Sequence, residues 1–486
     1  LILSGHQAIG PDLEFAIDAL FNRRDISSML ALTENSGYLN TPVNKSFALA
    51  PSLAWRINAD WTLSLSGLYG RDRTDYDQRF LSNGTVASSA YGCYCNVARS
   101  VELSAEGKLL ELPAGDLRLA IGGGYRYNSF EDTNASGSQS NGGGSIDSSY
   151  AFGELNVPVI SPEQDFNWAY RISINGALRY ERYPGIGDVA TPKLGLSWAM
   201  TPDISLKGSW GKSFRAPTLY QQYQPRAVYL FPPAALGATG TSASAGAILI
   251  LGGNPDLKPE KATTWSTTLA LHPRALPGAS LEVSYFSVRY RDRIVSPITL
   301  LAQALSNPIY RDQIIFNPSA TQQAAAIASA GTFLNISGVP YEPANVVAIV
   351  DNANLNAGRQ RARGIDVLAS YDAAIAPDQR LRLSLDIANL ESDQQLSAGQ
   401  PTYDLAGTIF NPPHWRGQAA VAWTGGNLTL AANGNYTGGV SDTRSTPAVR
   451  VNAMTTLDLT ARYRVDPEAP LGGLEFSLSV QNLFND

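Results

Sequence analysis

Long runs of strict two-residue alternation constrain this chain more than any other feature. Leu117, Leu119, Ile121, Gly123 and Tyr125 alternate with Arg118, Ala120, Gly122, Gly124 and Arg126. Ile172, Ile174, Gly176, Leu178 and Tyr180 alternate with Ser173, Asn175, Ala177, Arg179 and Glu181. The same holds for Leu381, Leu383, Leu385 and Ile387 against Arg382, Ser384, Asp386 and Ala388, and again for Leu457, Leu459, Ala461 and Tyr463. A period of two is that of a β-strand whose two faces meet different surroundings. The runs extend over roughly 10 to 14 residues, about twice the usual soluble strand. A tilted strand crossing a bilayer needs about 9 to 11.

The connections sharpen this reading. About eighteen strands are expected, joined by alternately short and long links. Short links fall around Ile9–Pro11, Asn58–Ala59, Pro113–Gly115, Pro162–Gln164, Thr201–Pro202, Pro273–Pro277, Ala376–Asp378, Gly425–Gly426 and Pro467–Pro470. The others are long: 25–44, 74–96, 131–146, 214–259, 295–345, 393–412 and 438–450, with Pro184–Gly187 the short exception. One rim of tight turns and one of large loops is the layout of an outer-membrane barrel. The expected fold class is therefore all-β, a large antiparallel transmembrane β-barrel. A soluble propeller would show an internal repeat of roughly 40 to 50 residues, and none is visible. Trp61, Tyr69, Tyr170, Tyr180, Trp198 and Trp210 fall near strand ends, as an interfacial aromatic girdle requires.

Composition excludes several functions. Charged residues are 16%, against roughly 25% in a typical soluble protein, and Gly, Ser, Thr, Asn and Gln take their place. A net charge of −6 without a basic block argues against a nucleic-acid partner. Cys93 and Cys95 are the only cysteines, and His6, His272 and His414 are scattered, so no metal spacing is present and no cofactor is expected. No nucleophile elbow, phosphate loop or His-Glu-x-x-His occurs, so the chain is not expected to be an enzyme.

Six motifs in order carry a family resemblance: "SWGKSFRAPTLYQQY" (209–223), "GNPDLKPEKATTW" (253–265), "VSYFSVRYRDRI" (283–294), "NANLNAGRQRARGIDV" (352–367), "NPPHWRG" (411–417) and the final "SLSVQNLFND". Together they resemble TonB-dependent outer-membrane receptors. The resemblance implies a 22-stranded barrel around an N-terminal plug. On that pattern the plug, strands 1 to 3 and a closing strand 22 are expected to lie outside this chain, which would span strands 4 to 21 of one barrel domain over residues 1–486. Strand parity agrees, since the first run should descend and the last ascend. Loops 214–259 and 295–345 become the seventh and eighth external loops, which in the family tend to close over substrate.

The resemblance implies a ligand-gated importer in the outer membrane of a Gram-negative bacterium, drawing energy from TonB through the plug segment. Ferric siderophores are the family's commonest cargo; cobalamin, heme and oligosaccharides are also carried, and a passive porin is the alternative class. Expected partners are outer-membrane lipid, the TonB complex and a small ligand such as a metal chelate or oligosaccharide, with the protein a monomer.

Candidate residues follow from these loops. Tyr220, Tyr223, Arg226, Tyr229 and Phe231 in the first suit a planar ligand or sugar through stacking and cation–π contact; packing of the loop on itself is the other reading. Tyr310, Arg311, Asp312 and Tyr341 in the second are read the same way, beside a helix-like stretch over 320–330. Cys93 and Cys95 are placed in an external loop whose tip a disulfide would pinch. The glycine-rich stretch 140–147 reads as a flexible loop rather than a nucleotide cradle. Arg359, Arg361 and Arg363 share one face. That face should be the lumen, because a charge toward lipid costs about 2 to 4 kcal/mol near the midplane. There they would hold the plug or steer an anionic ligand. The prolines of "GNPDLKPEKATTW" are expected to form the hinge post of a mobile loop, with Asp256 and Glu260 at the rim.

Overall fold

A computed structural model describes residues 1–33, 35–136, 141–443 and 447–484. Ser140, which opens the glycine-rich stretch, and Asn485–Asp486, which end the last motif, lie outside the described residues. Among the described residues no helix is long and apolar enough to cross a membrane; the crossing elements are strands.

One sheet of 21 strands dominates. Three of them, Ser28–Thr33, Ser36–Asn40 and Tyr403–Asp404, flank loop ends, so eighteen form the wall. The wall runs in chain order from Ile2–Ala8 against Leu13–Asp25 to Met454–Arg464 against Glu475–Val480. Every consecutive pairing is antiparallel. Among the described residues the first and last wall strands do not pair with each other.

Two expected loops turn out to be zipped strands. Trp61–Ser82 and Thr85–Leu112 are 22 and 28 residues long and meet at a two-residue turn. Asn83 and Gly84 there hold φ of +52° and +76°, the paired left-handed conformation that matches strand twist in a tight hairpin. The stretch 74–96 is thus ladder rather than loop, and Cys93 and Cys95 sit within a continuous strand instead of at a tip. Likewise Gly115–Asn134 and Gly142–Ile160 shorten the expected loop 131–146.

Register separates the two faces of the wall, because directly opposed residues point the same way. Trp198, Leu206, Leu269, Val283, Val367 and Ile387 form one opposed row across neighbouring strands. The adjacent row, one residue along and therefore on the other face, reads Ser197, Lys207, Thr268, Ser284, Asp366 and Ala388. At this height one face is apolar and the other largely polar, as a lipid-facing exterior and a hydrated interior require. Aromatics bound the apolar belt at both edges: Trp210 opposes Trp265, whose ring lies 4.8 Å from Tyr285, while Trp423 and Tyr463 mark the short-turn side.

The two longest loops build a domain of their own. The wall leaves at Arg215 and resumes at Glu260; it leaves again at Val295 and resumes at Leu355. Between these points lies a five-stranded sheet ordered 314–316, 346–351, 246–251, 227–231, 332–335, drawing strands from both loops. Both of its faces are covered. Val228, Leu230, Ile248, Ile250 and Ile349 pack toward Ala326 of helix Ala320–Ala328. Ala247, Leu249 and Val350 pack on Leu236, Ile298 and Tyr310. Burial on two sides explains the unbroken apolar run Ala247–Leu251. The helix begins where Ser319 and Gln322 cap each other reciprocally.

Candidate functional site

The base of this cap is stitched by asparagines. Asn352 both accepts from the Ile298 amide (2.8 Å) and donates to its carbonyl (3.1 Å). The Asn354 side chain donates to Gln221 O (3.2 Å), and its carbonyl accepts from Asn254 (3.0 Å). Asn356 accepts from the Lys258 amide and donates to the Lys258 carbonyl, each at 2.8 Å. Spaced by two in sequence, they project to one side and tie the exits of both long loops together. Glu260, 5% exposed, accepts from Arg215 and from the Ile294 amide, both at 2.7 Å. It lies beyond the Trp265 girdle, outside the belt. Burial alone would raise its carboxyl, but these two donors outweigh it and hold the group below its usual value. Pro255 and Pro259 therefore sit in a pinned post, and Glu260 is a structural anion.

Beneath the cap, the helix Leu219–Tyr223 closes over the polar face. Thr218 and Gln221 cap it reciprocally, at 3.1 and 3.0 Å. It can approach because strand Gly142–Ile160 opens with glycines: a Cβ on Gly144 would stand 2.5 Å from the Tyr223 ring. The glycine-rich stretch is thus a seat for this helix. Tyr220 projects edge-on to Phe130 (5.9 Å) and Tyr94 (6.5 Å), and Tyr94 in turn lies 4.9 Å from Tyr76. Burial among these rings pushes the Tyr220 phenol above its ordinary value, with Asp132 adding to the effect.

The space below is a cavity of about 940 Å³, bordered by Tyr220, Phe130, Phe214, Arg126, Arg179 and Glu181. Its walls come from several adjacent strands, which makes the polar face the concave one. Glu181 is the electrostatic hub, 2% exposed. It accepts from Ser148 (3.0 Å), Tyr183 (2.6 Å) and Arg179 (2.9 Å), and Arg126 lies 3.6 Å away. Both guanidinium groups also cover the Tyr150 ring, at 3.8 Å for Arg179 and 5.2 Å for Arg126. Arg126 keeps 41% of its side chain exposed. A rigid pair of guanidiniums with aromatic walls is suited to an anionic or aromatic ligand.

The expected site residues disperse. Tyr220 borders the cavity and Tyr223 seats the helix that carries it. The Arg226 Nε is buried with no hydrogen-bond partner among the described residues. Tyr229 meets Phe231 at 6.0 Å inside the cap, and Tyr341 meets Phe333 and donates to Gln323 (3.1 Å). Tyr310 is 2% exposed, with its hydroxyl 3.1 Å from Thr299. It also borders a second cavity of about 970 Å³, with Tyr403 and His414. Arg311 is exposed over Phe316. Cys93 and Cys95 are joined as a disulfide, Cα atoms 5.7 Å apart.

Arg359, Arg361 and Arg363 require a correction. They share a face with Ile365 and Val367, and Arg363 opposes Ser287, the neighbour of Tyr285 on the apolar side. The exterior, above the belt, is their place. The lumen was expected because charge is excluded from lipid, but that exclusion ends at the girdle. Arg126, Arg179 and Glu181 were missed as site residues although each stood in the polar half of an alternating run.

Over residues 9–483 the sequence matches the family described as TonB dependent receptor-like, beta-barrel. No curated protein sequence matches it. Among solved structures it is similar to a mutant of the ferric enterobactin receptor PfeA from Pseudomonas aeruginosa, with 15% identity and a TM-score of 0.53 over 99% of this chain and 71% of that one. It is also similar to the siderophore receptor PirA from Acinetobacter baumannii, with 11% identity and a TM-score of 0.51 over 100% and 76%. The RagAB peptide transporter aligns at 11% identity with a TM-score of 0.61, over 99% and 68%.

Proposed function

Since the chain belongs to the TonB-dependent receptor β-barrel family, we propose that it is an outer-membrane receptor that imports a scarce nutrient, a ferric siderophore before other cargoes. The observation that carries this reading is the cavity on the concave polar face, where Arg126, Arg179 and the Tyr220–Phe130 rings meet beneath a folded cap. A ferric siderophore presents anionic donor groups and planar faces, and this arrangement offers guanidinium donors and ring edges to both. Energy enters through TonB acting on a plug seated against the same polar face. The barrel does no covalent chemistry. Siderophore receptors among its structural relatives fit the reading.

Uptake of radioactive iron delivered as ferric enterobactin, by cells depending on the intact protein under iron limitation, tests it. Arg126→Gln with Tyr220→Ala should weaken binding roughly 10- to 100-fold, about 1.4 kcal/mol per decade, while surface expression holds. No iron-dependent uptake, together with growth on an oligosaccharide that the same variant abolishes, would replace the siderophore with a sugar.

A further inference from the structure

The exterior above the girdle carries an unbalanced band of positive charge. Lys212, Lys261, Arg289, Arg291, Arg359 and Arg361 come from four neighbouring wall strands, and register places all of them on the apolar face. Arg289 directly opposes Arg361, and Lys261 directly opposes Arg291. Like charges opposed across a ladder repel one another. Among the described residues none of the six has an ion-pair partner, whereas Arg363 next to them pairs with Glu391. Two acids share this face, Asp188 and Asp393, the latter directly opposite Arg361, so six cations meet two carboxylates and the band stays positive. The Arg361 Nε is buried and has no hydrogen-bond partner among the described residues. Two grooves of about 320 and 490 Å³ lie along this band, both bordered by Arg289 and Arg291.

Immediately below stand Trp210, Trp265 and Tyr285, and below them the apolar belt. Height on the wall therefore converts apolar surface into cation over about two residue pairs, roughly 13 Å along a strand. This is the profile of a molecule with acyl chains beneath an anionic head. We infer that the band is a binding site for a phosphate-bearing glycolipid of the outer leaflet, its phosphates bridging the opposed cation pairs and its chains lying on the belt. The inference rests on the outer-membrane reading above. A soluble anion would find the cations but would have no use for the adjoining apolar surface.

The test is equilibrium binding of fluorescent bisphosphorylated lipid A to the full-length protein in zwitterionic detergent. Dephosphorylated lipid A and inorganic phosphate serve as comparisons. Combining Lys261→Gln, Arg289→Gln and Arg361→Gln should weaken lipid A binding at least about ten-fold, since each cation near such a surface contributes about five-fold. Removing two cations of the polar face, Lys193→Gln with Lys207→Gln, should leave binding unchanged, and heat-modifiable migration on gels reports that each variant is folded. Equal binding by the triple variant overturns the site. Equal binding of the dephosphorylated lipid overturns its phosphate recognition. Displacement by millimolar inorganic phosphate assigns the cations to a free anion and overturns the lipid. Insertion into phosphatidylethanolamine vesicles is scored separately, so failure of the membrane reading is distinguishable from failure of the site.

Discussion

Single residues at the loop bases decide how firmly the cap is held. Glu260 balances one guanidinium and one amide in a buried position. Glu260→Gln should cost about 1 to 3 kcal/mol of cap stability, because it exchanges charged hydrogen bonds for neutral ones beside a retained Arg215. Hydrogen exchange at the Ile294 amide measures this directly. The sign of the pH dependence follows from the lowered carboxyl. Its contribution is complete above the unfolded value of about 4.3 and is lost as pH falls through the lower folded value. Protection of that amide should therefore be flat from pH 8 to about 5 and decline only in stronger acid; a decline near neutrality would remove Glu260 from the account.

At the scale of elements, the contrast lies between what alternates and what does not. Wall strands were legible because each residue's face is set by its parity, and the eighteen-strand wall follows the count made from alternation and turn chemistry. The hairpin at Asn83–Gly84 carried its own signal, an Asn-Gly pair between extended runs, yet polar strand residues above the belt read as loop. The cap was illegible for a different reason. Its sheet joins Ala227–Phe231 to Thr332–Asn335 and Gly246–Leu251 to Val346–Asp351 in parallel, across a hundred residues that include two wall strands. No local period reports such pairing, so Tyr229, Tyr310 and Tyr341 stood out as ligand candidates when packing had claimed them. Gly144 offers a test of the helix seat. Gly144→Val drives a side chain into the Tyr223 ring and should displace Tyr220, lowering ligand affinity about ten-fold. The barrel should keep its heat-modifiable migration, and an unchanged affinity would uncouple the seat from the site.

For the whole molecule, the two rims make a claim about orientation. The long-loop rim, with the cap, should face the cell exterior and the tight turns the periplasm. A protease site inserted beside Gly240, which is exposed with nothing near its missing Cβ, should be cut on intact cells. One inserted in the turn at Pro113 should survive until the outer membrane is breached. The opposite pattern would invert the protein and place the cationic band in the inner leaflet.

The shared sheet of the cap has a bearing on how such proteins can be re-engineered. Grafting the stretch 216–259 alone onto another barrel would leave Val228 and Ile248 without the helix that covers them and the strands that flank them, and Asn254 without Asn354. The transplantable unit is the pair of loops together with the three asparagines that anchor them. A redesign of the cap therefore has to alter two stretches of chain together, because its sheet pairs strands from both.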